Sequence, residues 1–192
     1  MGKIVVTEFI SLDGVVEDPG GSESYSRGGW AFDFDRGQEG DKFKLDELFE
    51  AEAQLLGRVT YEGFAAAWPE RDDEAGFSKK MNEMPKYVVS STIERPEWQN
   101  TTVLSGEPIS AVAALRNEVD GIILVAGSVT LVQALIERDL IDELRLMVFP
   151  VLLGDGKRLF PAGDAKRPLK LTEAKTVGDG VAIMRYGRTN SD

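Results

Sequence analysis

The chain has 192 residues, 42% hydrophobic and 29% charged, the make-up of an ordinary globular chain long enough for one domain with a sizeable core. It contains no cysteine and no histidine, which excludes disulfides, thiolate nucleophiles, serine–histidine catalysis and zinc sites built on sulfur or imidazole. A formal net charge of −11 opposes nonspecific attraction to nucleic acid or an anionic membrane, so a phosphate ligand needs a local group of arginine, hydroxyls and backbone N–H.

Residues 3–10, KIVVTEFI, are rich in β-branched side chains and predict a strand buried on at least one face. No signal-peptide pattern and no run near the length of a membrane span accompanies it, which gives a cytoplasmic expectation. From Ser11 to Gly37 the chain carries Pro19, Gly20, Gly21, Gly28 and Gly29 and reads as a long irregular connection, of the kind that is usually functional or disordered. Within it, GGWAFDFD sets Trp30, Phe32 and Phe34 at every second position. That is the pattern of an edge strand or a lid packed on the core; the alternative reading stacks Trp30 on a planar heterocyclic substrate.

From Glu39 to Glu52, Phe43, Leu45, Leu48 and Phe49 fall on one face of an amphipathic helix. AQLLG (53–57) predicts a short central strand, and TYEGFAAAW a short helix stopped at Trp68-Pro69; Tyr61 and Trp68 pose the same choice as Trp30 between core packing and ligand stacking, core being the commoner. A polar stretch with a possible helical turn leads to strands at KYVVSS (86–91) and TTVLS (101–105). Pro108 then opens a helix through AVAALRNEV, followed by the most apolar strand, GIILVAG (121–127), and a helix in SVTLVQALIERD.

Strand and helix alternate from 53 to 137, which argues for parallel strands joined by right-handed crossovers. DELRLMVFPVLL (142–153), LKLTEAKTV (169–177) and GVAIMRYGR (180–188) alternate by twos instead, with a hairpin signal at Gly178-Asp179-Gly180. The expected fold is α/β: a mixed sheet of about eight strands, mostly parallel with an antiparallel C-terminal hairpin, flanked by helices in three layers. One domain spans residues 1–188, and residues 189–192 form a tail. LRLMVFPVLL is apolar on both faces, which suggests extra burial and a homodimer.

In open α/β sheets ligands collect at the carboxyl ends of parallel strands, where helix N-termini present unpaired N–H groups to anions. Three strand ends here carry suitable residues: Gly57-Arg58 with Thr60, Ser90-Ser91-Thr92, and Gly127-Ser128 with Thr130. A glycine admits a phosphate to the backbone, and hydroxyls and guanidinium supply charge-assisted bonds. Each has a plainer reading, respectively a surface ion pair, turn chemistry and a helix-entry glycine, and no complete G-x-G-x-x-G motif is present. Gly154-Asp155-Gly156 reads as a turn.

SLDG, LLGRVTYE, KYVVSST, LVAGSVTL and above all LIDELRLMVFPVLLGDGKRLF, in that order, resemble the dihydrofolate reductase-like superfamily. The closest branch is the reductase domain of the bifunctional deaminase-reductase of riboflavin biosynthesis, over roughly residues 3–187. The resemblance implies a mixed eight-stranded sheet with NADPH across the strand ends. Arg58, Thr60, Ser90 and Ser91 then hold the adenosine 2′-phosphate, with Gly57 at the same strand end. Gly127-Ser128, altered from the commoner Gly-Gly, contacts the pyrophosphate, with Val129 and Thr130 following into the helix. Ile10 and Ser11 line the nicotinamide through their backbone, and the loop after Gly14 acts as a lid. Asp13, beside that place, is a candidate proton donor and equally an Asp-Gly turn former.

The chain lacks the His and Cys ligands of a zinc deaminase and cannot deaminate. The many acids between Gly14 and Asp41 oppose a ribose-phosphate tail unless that loop folds away. The function implied is NADPH-dependent hydride transfer to a small heterocyclic or carbonyl compound, with the riboflavin-pathway pyrimidine as family default. A pterin or folate reductase, and a noncatalytic nucleotide-binding dimeric module, are the alternatives.

Overall fold

The computed structural model describes residues 1–160, 163 and 166–189; of the expected tail, only Thr189 lies among them. Strand β1 (Lys3–Ser11) leads through a long loop to helix α1 (Gly37–Glu50), and β2 (Ala51–Gly57) passes directly into α2 (Arg58–Ala67). Next come α3 (Phe77–Glu83), β3 (Lys86–Val89), β4 (Thr101–Leu104), α4 (Pro108–Glu118), β5 (Ile122–Ala126) and α5 (Val129–Glu137). β6 (Glu143–Phe149), β7 (Leu169–Val177) and β8 (Val181–Arg188) complete the chain. All eight strands lie in one sheet of order β4-β3-β2-β5-β1-β6-β8-β7. The first six positions are mutually parallel; β8 runs antiparallel to β6, and β7 antiparallel to β8.

Alternation along each strand divides the core between the two faces. Ile4, Val6 and Ile10 of β1, with Ile123 and Val125 of β5, pack against Val112 and Leu115 of α4 and Leu131, Val132 and Leu135 of α5. On the opposite face Val5, Leu56 and Leu124 meet Leu48 of α1, Tyr61 of α2 and Met81 of α3. Fully buried aliphatic side chains such as Leu55 and Leu135 contribute roughly 1.5–3 kcal/mol each. Helix α4 begins where the Glu107 carboxylate accepts from the Ile109 and Ser110 N–H groups, with Pro108 in the first turn.

Three expectations are corrected. Trp30, Phe32 and Phe34 belong to no strand: Gly29 turns the backbone with φ 80° into a 3₁₀ turn over Trp30–Asp33, leaving Phe32 74% exposed. Phe49 leaves the apolar face of α1 and is 52% exposed. The strand read through residue 153 stops at Phe149, before Pro150, and Leu152 is exposed. The expected extra burial of β6 is present: it lies inside the sheet with a core on each face.

Candidate functional site

Strands β3, β2 and β5 are neighbours and parallel, so their carboxyl ends share one edge of the sheet. Gly57 pairs with Val89, which makes Arg58 and Ser90 the next residues off adjoining strand tips. The third tip is joined to the second directly. The Gly57 N–H donates to Ser128 Oγ at 2.8 Å, and the Ser128 N–H donates to Thr60 Oγ1 at 2.8 Å. Ser128 Oγ also donates to the Ala126 carbonyl at 3.3 Å.

This junction needs left-handed backbone at two successive residues, Gly127 with φ 59° and Ser128 with φ 61°. A Cβ at Gly127 would stand 3.1 Å from Thr60 Oγ1 and 3.2 Å from its Cγ2, so a side chain here needs Thr60 to give way. Past it, the first N–H groups of α5, including those of Val129 and Thr130, have no acceptor within the helix.

Arg58 stands at the first position of α2, about half exposed, and its guanidinium meets Glu62 at 2.9 Å, one turn along. Such a surface pair is worth roughly 0–1 kcal/mol and is readily exchanged for a better anion. Ser90 Oγ accepts from the Thr92 and Ile93 N–H groups at 3.1 Å each, which builds a turn that leaves Ser91 exposed.

Ile10 and Ser11 end β1 and are buried. Ser11 Oγ donates to Asp13 Oδ1 at 2.6 Å and accepts from the Val15 N–H. Asp13 in turn accepts from the Gly154 N–H at 2.7 Å and the Leu153 N–H at 3.2 Å, and Arg158 donates to its carbonyl. The Ser11 hydroxyl, with the Gly154 and Leu153 N–H groups, brings the Asp13 carboxyl down to about 2. Asp13, the proton-donor candidate, is thus held as a carboxylate and clasps two loops together.

The loop expected to act as a lid is pinned at its base, where Val15 bridges to Arg158 and the Val16 N–H donates to the Lys157 carbonyl. Much of its acidity is internal: buried Asp18 accepts from the Ser22 and Tyr25 N–H groups, Glu17 from the Lys157 N–H, and Asp41 pairs with Arg36. Trp30 donates to the Glu17 carbonyl, packs edge-on to Phe149 and is 3% exposed, so its ring lies in the core rather than open to a planar ligand.

Sequence reasoning passed over Glu8. It is 4% exposed, and its buried Oε1 finds no hydrogen-bond partner among the described residues. Burial holds this carboxyl well above the ordinary glutamate range; Lys44 and a hydrogen bond from the Gly127 backbone act against that, while Glu47 and Glu23 add to it. On the opposite face of β1, Thr7 Oγ1 donates to Glu47 Oε1 at 2.8 Å and accepts from Lys44 at 2.9 Å, closing a buried polar triad. A lone carboxylate inside KIVVTEFI, beside Thr7 in a strand otherwise apolar after Lys3, was the signal available.

A model of the RibD C-terminal domain family matches residues 2–183, and the chain belongs to that family. It is 27% identical over 188 residues to the uncharacterized protein YyaP of Bacillus subtilis (strain 168), covering 96% of this chain and 94% of that one. Among solved structures it is similar to a putative riboflavin biosynthesis protein from Shewanella sp. PV-4, with TM-score 0.76, 21% identity and coverage of 98% and 99% of the two chains. A pyrimidine reductase-like protein from Corynebacterium diphtheriae shares the fold at TM-score 0.66 and 14% identity, over 99% of this chain and 93% of that one. The resemblance read from the sequence and the mixed-sheet fold it implied are thereby shown.

Proposed function

We propose that this member of the RibD C-terminal domain family is an NADPH-dependent reductase acting on a C=O or C=N bond of a small heterocyclic or carbonyl substrate. The family default is 5-amino-6-(5-phosphoribosylamino)uracil. The observation that supports it most is the joining of the β2 and β5 tips through Ser128, with Arg58 and Ser90 at the adjoining ends. The residues present fit a phosphorylated dinucleotide. A side chain at Gly127 would crowd Thr60, the first turn of α5 offers N–H donors, and among the described residues Arg58 is held by one exposed ion pair.

In this reading Arg58, Thr60, Ser90 and Ser91 hold the 2′-phosphate, and Gly127, Ser128, Val129 and Thr130 face the pyrophosphate. Ile10 and Ser11 border the nicotinamide, whose chemistry when bound is hydride donation. The arginine supplies a forked donor that suits phosphate, and the helix N-terminus a field that favours negative charge despite the net −11.

Loss of NADPH absorbance with a panel of aminopyrimidines, pterins and quinones tests the reading. Turnover of one class identifies the substrate chemistry. Binding of NADPH without turnover of any panel member gives a nucleotide-binding module instead.

A further inference from the structure

The crevice between β1 and β5 is a switch point of the sheet. From the carboxyl end of β1 the chain runs through α1 on one face to β2, and from that of β5 through α5 on the other face to β6, on the far side of β1. Thr7 pairs with Ala126, the last residue of β5, so Glu8 stands beside Gly127, where β5 turns away into α5. Alternation puts Glu8 on the α5 face, with Val6 and Ile10. Glu8 is thus a buried acid with an unpartnered oxygen, set against the backbone that enters the helix N-terminus read above as the pyrophosphate site.

A carboxylate and a phosphate cannot share that place cheaply. Two anions a few ångströms apart and shielded from water repel by several kcal/mol, and both draw on the same N–H groups around Gly127. A neutral carboxyl removes the repulsion and turns an acceptor into a donor that can hydrogen-bond the ligand.

We propose that Glu8 couples coenzyme binding to proton uptake: its carboxyl must carry a proton for a phosphate group to be held at the head of α5. Glu8 is then a positioning residue of the dinucleotide site, and the inference rests on the reading given under Proposed function. The step is balanced by one proton from solvent, bound by the carboxylate as the anionic coenzyme enters. Burial already biases Glu8 towards the neutral form. The charged groups acting on it are Lys44 and Glu47 from α1 and Glu23 from the loop. β5 carries no ionisable residue and α5 none before Glu137, while Glu143 and Arg145 of β6 are bonded to each other at that strand's far end.

The test is calorimetric titration of the full chain with NADPH and with NADH, which lacks the 2′-phosphate that itself titrates near about pH 6. Runs between pH 5 and 9, in buffers of different ionisation enthalpy, are made on the wild type and on Glu8→Gln. Expected are uptake of up to one proton per coenzyme by the wild type and an affinity that falls by up to tenfold per pH unit as Glu8 ionises. With NADH, Glu8→Gln should show neither. Proton uptake by the wild type needs no variant, so a poorly folded Glu8→Gln leaves the proposal open to refutation. Coenzyme binding with no proton taken up at any pH from 5 to 9, or with parallel pH profiles in the two proteins, overturns this inference alone. No binding at any pH in either protein overturns it together with the reading of the site.

Discussion

Ser128 and Gly57, 71 positions apart in sequence, are joined by a hydrogen bond of 2.8 Å from the Gly57 N–H to the Ser128 hydroxyl. This bond ties the β5 tip to the β2 tip at the first residue of the candidate phosphate site. Removing the hydroxyl leaves a partly buried N–H without an acceptor and keeps the left-handed backbone at Ser128. Ser128→Ala is therefore expected to lose about 1–2 kcal/mol in urea unfolding. Ser128→Gly loses the same bond but relieves backbone strain of roughly 1–2 kcal/mol, and should come out near the wild type. Equal losses in the two variants would remove the backbone argument.

Gly127→Ala combines φ 59° with a Cβ placed 3.1 Å from Thr60 Oγ1. The expected result is a destabilisation of about 1–3 kcal/mol and weaker NADPH binding, because Thr60 must retreat from the Ser128 N–H. Wild-type stability and affinity would show that the junction is slack.

Asp13 links pH to stability. Its folded carboxyl titrates near about 2, below the ordinary 3.8, so its contribution is fully present above pH 3.8 and is lost as pH falls towards 2. Asp13→Asn should lower Tm at pH 7, with the gap to the wild type closing between about pH 4 and 2. A gap that stays constant down to pH 2 would show that the charge contributes nothing to the clasp.

Lys86 is fully buried, and its ammonium donates to the Met81, Asn82 and Met84 carbonyls at 2.9–3.0 Å around the end of α3, under the Trp98 ring. Burial brings it down to about 8. Lys86→Met preserves the stem but leaves those carbonyls without a donor, so unfolding free energy should fall by about 1–3 kcal/mol. Little change would mean that water or neighbouring side chains replace the ammonium.

The order of elements was legible because β-branched runs such as IILVA and periodic helices such as VTLVQALIE carry their own signals. The three strand ends were legible too, since glycine, arginine and hydroxyls cluster where an apolar run stops. Relations that exist only after folding were not. The Ser128 hydroxyl reaching Gly57 and the Asp13 carboxylate reaching Leu153 and Gly154 bridge 71 to 141 positions. Trp30, Phe32 and Phe34 misled because alternation in a short stretch also fits a turn entered through Gly29, and Glu8 escaped notice because a single acid hardly alters the look of an apolar strand.

Equilibrium binding of NADPH and NADH to the wild type and Arg58→Ala measures the central claim most directly. The account predicts that the wild type favours NADPH by tenfold or more, on the order of the 1.5–3 kcal/mol of a charge-assisted bond, and that Arg58→Ala erases the preference while NADH affinity stays the same. Equal wild-type affinity for the two coenzymes, or a preference unchanged in Arg58→Ala, would contradict it.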